Sequence, residues 1–313
     1  MFSSIKRCKI CSKFGKTILE ISFDDIRILN FFTSEYNKKI TNLLKKKIGK
    51  KKFILEKCKD CQFIWQRNVP KNKFLYDIYE KIIDPKESLQ KSQKILNKQI
   101  KFFSSEIIFF QNFLKKNDLN ILDFGAGWGN WLLSIKDKCP NVFAVEFSNK
   151  RKKYLKEKNI KIINNLNKTN HKNFFHVVKL EQVLEHLTDM KLVILNIKRI
   201  MKKNGILSIG VPDGYMEIDR DIIEIKKGPI QPLEHLNCFN NKSLKLFLRH
   251  NGFRPITLFE IIKIFIKIKK FDYHSIKFFL SQIKNTFFST RINFIKNYLL
   301  FLITKINDRI KML

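Results

Sequence analysis

The sequence predicts an α/β fold, a parallel sheet with helices on both faces, and three observations predict it. An apolar run, Leu119–Leu122, ends at Asp123 and is followed by Gly125, Gly127 and Gly129 and then by an apolar helical stretch. A second apolar run, Val142–Val145, ends at Glu146, a span after Gly125 that fits one turn, one helix and one strand. A third, Phe174–Leu180, runs into a turn and another helical stretch before a fourth near 206–211. Strands that alternate with helices at this spacing form parallel sheets, because parallel neighbours need a crossover connection.

The elements divide the chain into four expected regions. Residues 1–80 carry two C-x-x-C pairs, Cys8/Cys11 and Cys58/Cys61, separated by 46 residues that include the lysine-rich stretch 38–52. Two such pairs offer four thiolates, the usual donor set of a tetrahedral zinc ion, and four thiolates leave no open position, so the site reads as structural. The glycine that often follows the second cysteine of each pair is absent; Ser12 and Gln62 stand there. Residues 81–117 read as a helical connector over the cofactor site, with apolar positions at Ile95, Ile100, Phe103, Ile107, Phe110 and Leu114. The α/β core spans 118–262. In it Ser148 suits the N-cap of a helix over 150–158, and 160–163 forms a third strand with Asn164 and Asn165 at its tip. Residues 263–313 form a basic helical tail rich in Phe and Ile. Its longest apolar run, Tyr298–Ile303, is far shorter than the ~18 residues that span a bilayer. These helices either pack on the core or lie on an anionic membrane face.

The glycine loop selects its ligand. A dinucleotide site reads G-x-G-x-x-G, and here Asn130 takes the last place while Asp123 puts a negative charge where a pyrophosphate would sit. The loop therefore suits a nucleoside with a cationic or zwitterionic tail. Asp123, Gly125, Ala126 and Gly127 line it, and Glu146 at the second strand tip can accept hydrogen bonds from a ribose diol.

With those residues the chain resembles the class I S-adenosylmethionine (SAM)-dependent methyltransferases. Leu184-Glu185-His186 resembles the signature after the family's fourth strand, residues 200–212 its fifth-strand region, and Pro232–Phe253 the C-terminal block of a subgroup common in sugar and surface-polysaccharide pathways. The cysteine pairs, with Trp65, Pro70, Tyr76 and Tyr79 behind them, resemble the zinc-binding module that precedes the core in that subgroup. The resemblance implies a Rossmann-like seven-stranded sheet and SAM as methyl donor, with Leu180 and Glu181 at the cofactor and Asn164 or Asn165 near the adenine. It also implies acceptor-side chemistry at His235, oriented by Glu234, or at His186. The family's usual tyrosine before the Glu-His pair is replaced by Leu233. In some quinone-pathway relatives a Glu-x-x-Glu-His run binds a metal here; Gln182 replaces its first glutamate, which counts against a metal.

Composition bounds the partners. The net charge of +34 comes mainly from lysine, with arginine scarce and alanine present only at 126 and 144, a pattern that A/T-rich codons produce. Such charge attracts polyanions, but fixed-geometry phosphate recognition favours arginine. A nucleic-acid partner is therefore the less favoured reading. Six cysteines without an apolar leader suit a reducing cytoplasm. The expectation is a cytoplasmic methyltransferase acting on a small glycan precursor, a nucleotide-linked or lipid-linked sugar. Its rivals are an RNA methyltransferase gripping RNA through the module and lysines, and a non-catalytic SAM-binding scaffold.

Overall fold

The fold is taken from a computed structural model, which describes residues 2–36, 38–71, 74, 85–214, 225, 228–268 and 273–286. Compactness divides the chain once, into Met1–Pro255 and Ile256–Leu313. The cysteine segment, the connector and the α/β core as far as Pro255 share the first unit.

The larger unit is organised by two main sheets. The first contains five parallel strands, β6 (Ile121–Phe124), β7 (Val142–Val145), β8 (Lys161–Ile162), β9 (Phe175–Glu181) and β10 (Met201–Gly210), in the order β10-β9-β6-β7-β8. Seven strands were expected; five are present among the described residues. One reason is visible in the chain after β10, where the strand β11 (Asn237–Cys238) pairs with a different sheet. β6 and β7 are buried at every position, as strands covered on both faces must be, which explains their unbroken apolar runs. β6 starts two residues later than its apolar run, so Asp123 lies inside the strand, opposite Ala144 and Lys179.

Helices close both faces. α3 (Pro85–Leu114) is the expected connector, opened by a proline at its first turn, where a missing N–H costs nothing. α4 (Asn130–Ile135) follows the glycine loop, and α5 (Asn149–Glu157) is capped by Ser148 as expected. α6 (Met190–Ile200) is capped by Asp189, whose side chain accepts from Leu192 N, and buries Met190, Ile194, Ile197 and Ile200 at helical spacing.

The second sheet has the order β11-β4-β3-β2 and belongs to the cysteine segment, with β2 at Gly15–Ser22, β3 at Lys52–Cys58 and β4 at Ile64–Gln66. A short ribbon of β1 (Phe2–Ser4) and β5 (Asn68–Pro70) lies beside it. The long gap between the cysteine pairs is not a loose excursion. It folds into β2, α1 (Ile26–Glu35), α2 (Lys38–Ile48) and β3, and it buries Phe23, Ile28, Phe31, Phe32, Leu44, Ile48 and Phe53 in a core that Ile230, Leu233 and Cys238 complete. Within the lysine-rich stretch, Lys45, Lys46 and Lys47 lie on the exposed face of α2. Around the cysteines, Phe63 stacks on Trp65 and meets Phe239, which meets Phe247 on α7 (Asn241–His250). The two sheets therefore share one aromatic seam.

In the second unit, α8 (Leu258–Lys267) opens with a capping box between Thr257 and Glu260, and α9 (Tyr273–Thr286) packs on it through Phe265, Phe278 and Phe279. Among the described residues no helix is long and apolar enough to cross a membrane. Tyr76, Tyr79 and the run Tyr298–Ile303 lie outside the described residues.

Candidate functional site

The residues expected to hold the cofactor gather at the carboxyl ends of β6, β7 and β9. The glycine loop turns with positive φ at Gly125, Gly127 and Gly129. A Cβ on Gly125 would lie 2.5 Å from Val183, whereas one on Gly127 would meet nothing within 4 Å. Gly125 is thus required by packing, and Gly127 leaves open space of the kind a ligand lying on the backbone needs. The Gly125 and Ala126 amides donate to Val145 O, tying the loop to β7. Glu146 is buried; one oxygen accepts from Gly127 N at 2.7 Å and the other from Phe147 N and Ser148 N. Its carboxylate joins the glycine loop to the tip of β7 before any ligand arrives. α3 lies against the loop, with Ser88 accepting from Trp128 and Ser92 bonded to Asn130.

The sequence did not announce a buried charge cluster beside this loop. Lys179, on β9, donates to Glu106 of α3 at 2.7 Å, with both side chains nearly inaccessible, and lies 3.9 Å from Glu181. Its ammonium also sits over the Trp131 ring. Burial alone would lower the Lys179 pKa, but Glu106 and Glu181 raise it above the ordinary value. Burial pushes Asp123 up to about 7, with Lys179 pulling the other way. Burial likewise raises Glu181. The signal was legible: a lysine stands inside the apolar run Phe174–Leu180.

The other expected cofactor contacts fare differently. The Leu180 side chain is fully buried, so only its main chain is available to a ligand. Asn165 spends its side chain on Asn167 N, opening a single 3-10 turn, while Asn164 lines an open hollow with Asn149, Lys152, Lys153 and Lys156. Turn chemistry thus accounts for Asn165.

The residues expected on the acceptor side come together from distant segments. His186 and His235 face each other edge to face with centroids 4.8 Å apart. His186 Nδ1 donates to Glu234 O at 3.0 Å, and His235 Nδ1 to Pro229 O at 3.3 Å. Because a carbonyl can only accept, each neutral ring keeps its lone pair on Nε2. Burial lowers both pKa values, His235 to about 3 with help from His186, so both rings are neutral near pH 7. The expected orientation of His235 by the Glu234 carboxylate is corrected. The Pro229 carbonyl does that work, because Leu233 turns with positive φ and sends the Glu234 carboxylate to the Tyr36 hydroxyl. A tyrosine thus does meet the Glu-His pair, from α1's end rather than from position 233.

Glu185 completes the group. It is 1 % exposed, and neither carboxylate oxygen has a hydrogen-bond partner among the described residues. Burial raises it to about 7, and its own backbone amide opposes the shift. Glu185, His186 and His235 offer three ligand atoms within 4.8 Å of one another, a donor set able to face a cation or a hydroxyl.

The four expected cysteines form a cluster. Sγ separations are 3.5 Å for Cys8–Cys61, 3.4 Å for Cys11–Cys58 and 3.9 Å for Cys11–Cys61. Two thiolates ~2.3 Å from one ion at the tetrahedral angle lie about 3.8 Å apart, so the set fits zinc. Ser12 and Gln62 adopt φ of 61° and 62°, the conformation the missing glycines would supply, and Ile10 N donates to Cys8 Sγ. A hydrogen bond from Cys61 lowers Cys8 to about 5, the same contact raises Cys61, and burial pushes Cys11 up to about 11.

Comparison with known proteins places these features in context. A sequence profile described as a methyltransferase domain matches residues 89–258, more than half of the chain. Among curated proteins no sequence matches. Solved structures with a similar fold include a SAM-dependent methyltransferase from Archaeoglobus fulgidus, 17% identical over 60% of this chain and 76% of that one (TM-score 0.38). Another, from Aquifex aeolicus, is 18% identical over 55% of this chain and 89% of that one (TM-score 0.38).

Proposed function

The chain belongs to the methyltransferase-domain family and is a SAM-dependent methyltransferase, and from that premise we propose that its acceptor is a small glycan precursor, a nucleotide-linked or lipid-linked sugar. The observation that carries this reading is the meeting of His186, His235 and Glu185 beside the Glu234–Tyr36 pair, in a block whose sequence resembles sugar-modifying enzymes. SAM would lie across the strand tips, its ribose on Glu146, its adenine toward β8 and its sulfonium toward Asp123 and Glu181. The acceptor hydroxyl or carbon would face the two imidazoles. Methyl transfer from a sulfonium needs chiefly alignment and removal of one proton. His235 acts as base or orienter, and His186 backs it. A free imidazole with a pKa near 3 is a weak base, so alignment carries much of the rate until a bound acceptor changes the surroundings. Zinc would be held by Cys8, Cys11, Cys58 and Cys61 and would supply rigidity, not chemistry.

The test is direct. Methyl-labelled SAM is supplied with the purified protein to an extract, and label is traced among RNA, lipid-linked and nucleotide-sugar fractions. Label in either sugar fraction supports the reading; label confined to RNA overturns it. Cytoplasmic location, and contact of the tail with an anionic membrane, remain part of this proposal.

A further inference from the structure

The first cysteine pair is wired to the acceptor side through two residues that the chemistry above does not use. Lys9 stands between Cys8 and Cys11, and its ammonium donates to Asn237 Oδ1 at 2.7 Å. Asn237 is 1 % exposed and sits on β11, opposite Trp65 of β4. Its Nδ2 donates to the carbonyls of Leu187 at 2.7 Å, Leu184 at 3.0 Å and Glu185 at 3.3 Å. Those carbonyls bracket His186. One amide therefore holds the cysteine knuckle by its oxygen and the histidine turn by its nitrogen. Only asparagine or glutamine carries both an acceptor and two donors on one planar group, and only the shorter one is found here.

Four further bonds run between the cysteine segment and the rest of this half. Gln66, from β4 beside the second cysteine pair, donates to Gln231 O and His235 O, both at 2.9 Å. Tyr36 reaches Glu234, and His250 Nδ1 donates to Ile10 O inside the first knuckle. No comparable bond links the cysteine segment to Glu146 or the glycine loop among the described residues; those side chains are tied to α3 and β7 instead.

We propose that Lys9 and Asn237 are positioning residues through which the metal-bound cysteine cluster fixes His186 and, with it, the acceptor half of the site, leaving the cofactor half untouched. This rests on the reading of His186 and His235 as acceptor-side groups. Zinc fixes the knuckle backbone, the knuckle places Lys9, Lys9 aligns Asn237, and Asn237 sets the three carbonyls of the turn. A misplacement of about 1 Å in such a turn costs on the order of a hundredfold in rate.

The experiment uses the full-length, zinc-loaded protein with isotope-labelled histidine rings, observed by NMR, alongside calorimetry with SAM. Lys9→Met keeps the aliphatic stem and removes the ammonium. It should shift or broaden the His186 and His235 ring signals, leave those of His171 and His176 in place, and leave zinc content and SAM affinity at wild-type values. Lys9→Arg should restore the signals. Stripping zinc with a chelator should reproduce the Lys9→Met spectrum at the same two rings. Asn237→Leu should act like Lys9→Met more strongly; if it does not fold, Lys9→Met carries the test alone. His186 and His235 signals superimposable on wild type in folded Lys9→Met would overturn the proposal. The ring signals report without any acceptor, so failure of the sugar assignment shows separately, as absence of label from the sugar fractions.

Discussion

The two halves of the proposed site, one for the cofactor and one for the acceptor, are built on opposite plans. From Asp123 to Glu146 the cofactor half is almost contiguous: a strand, a glycine loop, one helix and a second strand, locked by the bond from Gly127 N to Glu146. The acceptor half draws Tyr36, Gln66, the 184–187 turn and residues 228–238 from four places in the chain, and one of its strands completes the cysteine segment's sheet. The difference teaches where each half is vulnerable. A contiguous site is held by its own backbone, whereas a site gathered from afar depends on whatever gathers it.

The severest way to break that comparison is to remove a metal ligand. Cys58→Ser should abolish zinc binding, whose apparent contribution to such sites is about 10–16 kcal/mol. Methyl transfer should be lost while SAM still binds, with metal analysis and calorimetry reading the two halves separately. Parallel loss of SAM binding would mean that the halves share one support. Next comes His235→Ala, which should cut turnover by about 10²–10⁴ with SAM affinity unchanged. His186→Ala should do less; steady-state kinetics giving the reverse ranking would exchange their roles.

A change on the cofactor side should have the opposite signature. Glu146→Ala deletes charged hydrogen bonds worth roughly 1.5–3 kcal/mol, so SAM should bind about ten- to a hundredfold more weakly by calorimetry. Zinc content and the histidine environment should stay as they are. Unchanged SAM affinity would falsify the placement of the ribose.

The smallest effect is one of pH. Asp123 is held up at about 7 in the folded chain, against an ordinary value of 3.8. A cationic cofactor favours its ionised form, so SAM affinity should rise about threefold to tenfold from pH 6 to pH 8. The empty protein should show the converse. The stability linked to this proton is fully present below about pH 4 and is lost as pH rises through about 7. Asp123→Asn should flatten both curves, measured by calorimetry and by denaturant titration at each pH.

How much was legible follows the same divide. The glycine loop, Glu146, the Ser148 cap and the strand–helix alternation were readable because each depends on residues a few places apart. Two C-x-x-C pairs pointed to a four-thiolate cluster even across a long gap, since thiolate chemistry leaves few other uses for that spacing. The structure of the gap was less legible: the lysines of α2 mask an amphipathic helix whose Leu44 and Ile48 are buried. Glu106 gave no signal, because a glutamate on a helix is ordinarily solvated, and its burial exists only because Lys179 lies across from it.

By itself the sequence determined the methyltransferase class, the parallel sheet and the glycine loop that follows its first strand. Local backbone geometry and strand periodicity enforce these, and both are written in neighbouring residues. Tertiary structure alone decided that Asn237–Cys238 would pair with the cysteine segment's sheet, that Tyr36 would meet Glu234, and that Pro229 rather than Glu234 would orient His235. Those contacts join residues up to two hundred positions apart, and packing brings them together: Ile230, Leu233 and Cys238 join the core around Phe32 and Phe53, and Phe63 and Trp65 meet Phe239 through aromatic contacts.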